Sequence, residues 1–294
     1  MAQGQSPASA GDLTLPEALR HVPGFTESSA RVTPIEGGTV NRSFIVETPG
    51  GRYFLRLHEA VGVALGADHA REARLQAAAA HAGLAPPLIH ADPAHRFAVS
   101  EFLDGRVWTP ADFEVEGQVR RLGITLQRVH EVLPPIAAPF DLAALLEGFF
   151  ERITAAVPAE RAPLGALIER ARGIFGKVAS DTRGATLFHS DPHHSNLIER
   201  PDGRLQLVDW EYAAVGDPLY DLACVLAYYP AAERHSQVLL QAAGLSQAAS
   251  PSMLAQATWL YTLLGYFWFR ARRLDAAADA ADLQTERTML DRLG

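Results

Sequence analysis

Residues 187–212 read LFHSDPHHSNLIERPDGRLQLVDWEY. His189, Asp191, His193, His194 and Asn196 crowd into eight positions, and two short apolar runs flanking Asp202-Gly203 follow. Apolar, turn, apolar around Asp-Gly is a hairpin signal. Wherever this stretch sits, it forms a β-hairpin with a polar loop hung from its front. With the turn centred near Asp202, Asn196 and Asp209 are expected opposite one another at the open end of the ladder.

Two chemistries could use such a loop. In phosphoryl transfer, the Asn196 amide oxygen and the Asp209 carboxylate are hard ligands suited to Mg²⁺. Asp191 beside them can accept the proton of an attacking hydroxyl, and His189 braces the loop. In a zinc site, His189, Asp191, His193 and His194 would be the ligands. Zinc ligands usually come from distinct elements or from i,i+4 on a helix. Pro192 argues against a helix here, and that reading leaves Asn196 and Asp209 without a role. A solvated loop without function is the third reading.

The chain around the motif changes character near 99–103. ARVTPIEG, RSFIVET and GGRYFLRL are β-rich, the last two joined by TPGG, which suits a hairpin. GADHAREARLQAAAAHAG is rich in helix formers, with Gly83 placed to stop it. PPLIHADPAHRFAVSEFL gives two further strands, the second leading into a connection. PADFEVEGQVRRLGITLQRVHEV, FDLAALLEGFFERITAAV and PLGALIERARGIFGKVAS are amphipathic helices. From Pro218 the chain is helical, broken near Pro230, Gly244 and Pro251. The expectation is an α+β chain. A small antiparallel β-sheet lobe with one helix spans 13–103, and a larger, mainly helical lobe with the hairpin embedded spans 104–294. Residues 1–12 are small and polar and read as a disordered tail.

Composition narrows the partners. Against 26 Lys+Arg stand 34 Asp+Glu, a net charge of −8 over 294 residues. That argues against non-specific binding to nucleic acid or to an acidic membrane, and it is compatible with a cationic small substrate. The single cysteine, Cys224 in DLACVLAYY, excludes an intramolecular disulfide and reads as core. The start has no basic-then-apolar signal pattern. MLAQATWLYTLLGYFWFRARR carries Gln256 and two Thr and reads as a buried helix rather than a membrane span. The expected compartment is the cytoplasm.

HSDPHHSN, LVDWEY and GDPLYDLA, in that order, resemble the catalytic segment of the aminoglycoside phosphotransferase and choline kinase superfamily, which has the protein-kinase-like two-lobe fold. EGGTVNRSFIVET resembles its phosphate-binding hairpin and RYFLRLHE its third strand. REARLQ, GLAPPLIH, VSEFLDG and the aromatic C-terminal helix follow in the expected order. The resemblance implies ATP and Mg²⁺ as cofactors, Asp191 as catalytic base with His189 beside it, and Asn196 and Asp209 as metal ligands. Arg56 stands where kinases place the lysine that holds the α- and β-phosphates. Arginine there is similar to choline and thiamine kinases, and its planar fork suits phosphate. Glu72 is its implied partner; the alternative is a surface pairing of Glu72 with Arg71 or Arg74. Gly37 and Gly38 would let backbone approach the phosphates, with Thr39 and Asn41 adding hydrogen bonds. The backbone of Glu101 and Phe102 would read the adenine edge. Asp217-Pro218 starts a helix, and Asp221 would reach back to brace the loop.

The acceptor is a small molecule with a hydroxyl. Trp210, Glu211 and Tyr212 follow the second carboxylate of the motif, and Tyr261, Gly265 and Trp268 are spaced to share a helix face. Trp210, Glu211, Tyr212 and Trp268 are the candidate acceptor residues, since aromatics with carboxylates can cage a cation; the competing reading is that such aromatics are core. WEYAAVGDPLYDLA and GYFWFRAR look closest to bacterial thiamine kinase and choline-kinase-like proteins. A thiamine- or choline-like acceptor is therefore expected. An aminoglycoside is the alternative, and a non-catalytic nucleotide-binding protein is the alternative of another class.

Overall fold

The computed structural model describes residues 13–25, 30–35, 41–59, 68–178, 184–275 and 280–294. The tail expected over 1–12 lies outside them. Strands β1 (Arg31–Ile35), β2 (Arg42–Thr48), β3 (Gly51–Leu57), β4 (Leu88–Ala91) and β5 (Phe97–Glu101) form an antiparallel sheet in the order β1-β2-β3-β5-β4. Val46, Leu55, Leu57, Phe97 and Val99 are buried together on one face. Side chains alternate along a strand, so Arg56, between Leu55 and Leu57, is turned to the opposite face.

Helix α1 (Leu15–His21) closes the small core with Ala18 and Leu19. The sequence reading assigned no element there, although Thr14-Leu15-Pro16-Glu17 is a capping-box signature. The Thr14 amide and hydroxyl donate to Glu17 Oε2 at 2.8 and 2.6 Å. Helix α2 (His69–His81) starts where the Asp68 carboxylate accepts the Arg71 amide at 2.9 Å, and it ends before Gly83 at φ 73°. Its Leu75 and Ala79 pack with the larger core, so this helix serves both lobes.

The larger lobe contains α3 (Glu116–Val132), α4 (Leu142–Ala156), α5 (Arg161–Val178), α6 (Leu219–Tyr228), α7 (Ser236–Ala242), α8 (Pro251–Asp275) and α9 (Ala280–Leu293). The breaks expected near Pro230, Gly244 and Pro251 are present. Among the described residues no helix is long and apolar enough to cross a membrane. Two small sheets, built mostly from the segment between α5 and α6, position the site. β7 (Thr186–Phe188) pairs with β10 (Ala214–Gly216), and β6 (Arg106–Val107), β8 (Leu197–Glu199) and β9 (Leu205–Leu207) pair in the order β6-β8-β9.

The β8–β9 hairpin departs from expectation by one residue. Arg200 N donates to Arg204 O at 2.8 Å and Gly203 takes φ 82°. This is a three-residue loop with a left-handed glycine at its end. Leu197 pairs with Leu207, so Asn196 lies opposite Val208 rather than Asp209.

An arginine fork ties this hairpin to the lobe. Arg106 Nη1 and Nη2 each donate to Asp112 at 2.8 Å, and Nη2 also reaches Glu199 of β8 at 2.6 Å. Asp112 also accepts the Thr109 amide at 2.8 Å. The Arg106 hydrogen bonds hold the Asp112 carboxyl down at about 2, against an ordinary 3.8. A depressed carboxylate stabilises the fold above its unfolded pKa, and the contribution is lost as pH falls through the folded one. Asp112→Asn is expected to cost about 2 kcal/mol at pH 7. The gap to wild type should close between pH 3.8 and about 2; urea midpoints measured across that range check it.

Candidate active site

The loop after β7 is held from below. Asp221, at the start of α6, is fully buried. Its carboxylate accepts the amides of His189 at 3.1 Å and Ser190 at 2.8 Å, and His130 Nε2 lies 2.8 Å from it. Asp217 caps the same helix by accepting the Leu219 amide at 3.0 Å. Ser190 takes φ 70°, and its hydroxyl meets the Tyr261 hydroxyl at 2.9 Å. His189 is fully buried; its Nε2 donates to the Val208 carbonyl at 3.1 Å, and burial pushes its pKa below the ordinary value. It holds the loop against the hairpin.

Asp191 and Asn196 meet directly. Asn196 Nδ2 donates to Asp191 Oδ2 at 2.9 Å and to its carbonyl at 3.0 Å. The Val208 amide bonds the Asn196 carbonyl at 3.0 Å, which sets Asp209 one residue further on. Asp209 leaves the ladder at φ 67°, a conformation costing a non-glycine residue about 1–3 kcal/mol. Its Oδ1 accepts from Arg56 Nη1 at 3.0 Å.

Arg56 joins the lobes. The same Nη1 donates to Glu72 Oε1 at 2.8 Å, and Glu211 Oε2 lies 4.0 Å away. Glu72 thus pairs with Arg56 and not with Arg71 or Arg74. Burial opposes the Arg56 charge, but Asp209, Glu72 and Glu211 outweigh it and raise its pKa. Burial likewise opposes ionisation of Glu72, and Arg56 overcomes it. Three carboxylates exceed what one guanidinium can neutralise. Burial and the Asp209 charge push Asp191 up to about 7 and Glu211 to about 8.

Other expected residues are placed differently. Gly37, Gly38 and Thr39 lie outside the described residues. Asn41 Nδ2 donates to Glu211 Oε2 at 3.2 Å, so Glu211 faces the sheet lobe rather than an acceptor. The amides of Glu101 and Phe102 already donate to the Pro87 and Arg52 carbonyls at 2.9 and 3.1 Å. Those two donors are engaged within the sheet lobe, which removes the N–H half of the expected backbone N–H and C=O contact with adenine. Trp210 is fully buried, its indole donating to Leu207 O at 3.3 Å and its ring edge-on to His189. It is core, because a residue directly after a left-handed Asp209 turns inward. Tyr212 and Trp268 stand side by side, both half-buried.

Sequence reasoning missed three residues. Arg71 Nη2 reaches the Glu211 carbonyl at 3.1 Å, the Tyr228 phenol lies within the field of Asp191, and His69 contacts Glu72. None has a local signature; only Tyr228, in the aromatic pair before Pro230, sits at a visible helix end. The loop imidazoles act separately. His194 bonds the Tyr229 hydroxyl at 2.7 Å and His193 meets Ser195 at 3.3 Å, so they do not form the zinc set with His189 and Asp191.

A model of the APH phosphotransferase enzyme family matches residues 31–259. The chain belongs to this family. A choline/ethanolamine kinase family protein from Mesorhizobium loti aligns at TM-score 0.76 and 23% identity, covering 94% of this chain and 90% of its own. Choline kinase LicA from Streptococcus pneumoniae aligns at TM-score 0.77 and 17% identity, covering 90% and 94%. Spectinomycin phosphotransferase APH(9)-Ia aligns at 0.64 and 16%, covering 94% and 93%. The fold is the protein-kinase-like two-lobe fold, and this member of the APH family is a small-molecule phosphotransferase.

In this APH-family site Arg56 compensates buried carboxylates on both lobes. Breaking a buried ion pair from one side costs about 3–5 kcal/mol. Arg56→Met is expected to lower stability by about that much, read from urea unfolding at pH 7.

Proposed function

We propose that this phosphotransferase moves the γ-phosphoryl group of ATP to the hydroxyl of a small cationic metabolite, thiamine- or choline-like, with Mg²⁺ as the metal. The reading rests chiefly on the direct contact of Asp191 with Asn196, one residue from Asp209, with Arg56 bonded to that same Asp209. Asp191 is the base: in reach of an acceptor hydroxyl, it takes the proton as oxygen attacks phosphorus. Arg56, fixed by Glu72, holds phosphate oxygens. His189 and Asp221 hold the loop in shape.

The metal fits the donor set. Asn196 commits its amide nitrogen to Asp191, which leaves the carbonyl oxygen as the ligating atom, and Asp209 supplies a carboxylate. The uncompensated negative charge around Arg56 favours a divalent cation. When bound, Mg²⁺ neutralises charge on the transferred phosphoryl group. Nucleotide use is supported by the capture of LicA with AMP.

The acceptor class rests on the wall beside Asp191. Burial, with the Asp191 charge contributing, keeps the Tyr212 and Tyr228 phenols protonated. Trp268 flanks Tyr212. Aromatic faces next to a carboxylate attract a compact cation. An aminoglycoside carries several spread ammonium groups, for which this aromatic wall is less suited. Cytoplasmic localisation belongs to the same proposal.

Asp191→Asn is expected to lower kcat by about 10²–10⁴-fold while Mg²⁺–ATP binding persists. A coupled ADP-release screen over thiamine, choline, ethanolamine, aminoglycosides and sugar alcohols should give turnover with the cationic alcohols. Undiminished turnover in Asp191→Asn would overturn the mechanism, and turnover with aminoglycosides alone would overturn the acceptor class.

A further inference from the structure

Two histidines stand behind Arg56, outside the catalytic loop. His58, just past β3, and His69, the first residue of α2, stack with ring centroids 3.7 Å apart and planes 13° from parallel. His69 Nδ1 lies 3.2 Å from Glu72 Oε2, and His58 Nδ1 lies 2.7 Å from the His95 carbonyl. Both acceptors lack a proton, the carbonyl always and Glu72 because Arg56 keeps it ionised. Nδ1 therefore carries the hydrogen in each ring.

The two Nε2 atoms are buried and make no hydrogen bond among the described residues. Leaving such a group unpaired costs about 1–3 kcal/mol. For packing alone, an apolar ring would be the less costly filler. What imidazole adds at position 69 is a short, rigid N–H donor aimed at the carboxylate. A shared metal is disfavoured, although His58, His69 and Glu72 offer ligand atoms within 4.8 Å of one another. The in-plane lone pairs of nearly parallel stacked rings do not converge on one ion.

We propose that His69 is a positioning residue of the phosphotransfer site, acting through Glu72 to set the direction of Arg56. This rests on the reading of Arg56 as the phosphate-holding cation. Glu72 uses its two oxygens for two donors, Oε1 for Arg56 at 2.8 Å and Oε2 for His69 at 3.2 Å. A carboxylate held at both oxygens cannot rotate away from the guanidinium. Arg56 has a competing acceptor in Asp209 at 3.0 Å. By fixing Glu72, His69 biases Arg56 toward the helix and limits its hold on Asp209. His58 seats His69 through the stack and is itself tied to His95, which takes φ 55° between β4 and β5.

Three substitutions separate donor from packing. His69→Phe keeps a ring for the stack and removes the donor. His69→Asn puts an amide N–H where Nδ1 was. His69→Gln puts it near Nε2, out of line with Glu72, and serves where the phenylalanine variant folds poorly. Mg²⁺–ATP affinity is read by calorimetry without acceptor, alongside KM for ATP, kcat and thermal unfolding. His69→Phe and His69→Gln should weaken ATP binding and raise its KM about tenfold, the worth of one hydrogen bond to a charged group. His69→Asn should restore affinity to within about threefold. In a Glu72→Gln background, His69→Phe should have no further effect. Wild-type affinity in His69→Phe and His69→Gln, an asparagine variant as weak as they are, or additivity with Glu72→Gln would each overturn the role of His69 alone. A wild-type protein that binds no Mg²⁺–ATP would overturn the underlying reading with it.

Discussion

One guanidinium among three carboxylates holds this site together. Arg56 comes from the central strand of the small sheet, Glu72 from α2, and Asp209 and Glu211 from the segment after the hairpin. Charges buried this deeply are tolerable only when paired, so the sheet lobe and the hairpin are obliged to meet at Arg56. Asn41 and Arg71 add contacts to Glu211 from the same lobe. The pairing is incomplete in sign, because the carboxylates outnumber the cation. Burial first, and the surplus of negative charge added to it, push Asp191 and Glu211 up to about 7 and about 8. A site with that surplus favours a bound cation, and a divalent ion between the carboxylates would offset it.

The same region stores backbone strain. Ser190 and Asp209 are both left-handed without being glycine, at about 1–3 kcal/mol each. Something must hold them there. For Ser190 it is Asp221, whose buried carboxylate takes two consecutive backbone amides, and Tyr261, which meets the serine hydroxyl. Phe140, Phe188, Tyr220 and Tyr261 form an aromatic floor beneath. Hydrogen bonds to an ionised acceptor contribute about 1.5–3 kcal/mol each, enough to offset one strained residue.

How much of this was legible follows from the range of each signal. Local chemistry was readable: the Asp-Gly turn, the Gly83 stop, and the breaks at Pro230, Gly244 and Pro251 each depend on a few neighbouring residues. The hairpin register slipped by one because it depends on loop length, and Pro201-Asp202-Gly203 closes a three-residue loop where a two-residue turn leaves the same composition. The α1 capping box was local too, but it stands at the start of the sheet lobe, where no element was assigned. Side-chain direction was not readable. Trp210, Glu211 and Tyr212 are consecutive, yet they face the core, the sheet lobe and Trp268, because the backbone turns sharply at Asp209. The pairing of Arg56 with Glu72 came from resemblance, since residues sixteen apart across a strand and a helix carry no spacing rule. His69 was invisible for the same reason.

Helix α8 carries two separate sets of contacts toward the site. Tyr261, Gly265 and Trp268 share one face, as their spacing implies, but they do different things. Tyr261 sits under the catalytic loop. Gly265 is where α8 meets α9: a Cβ there would lie 2.5 Å from Met289 Sδ and 3.6 Å from the Tyr228 hydroxyl. Trp268, two turns beyond Tyr261, stands half-buried beside Tyr212. The loop is therefore braced at the middle of the helix and the aromatic wall built two turns further on, with a tight crossing between them. Replacing position 268 or 212 alters the wall without touching the bonds of Asp221, Ser190 or Tyr261. Under the proposed function, acceptor preference and phosphoryl transfer would be carried by separable contacts on a shared scaffold.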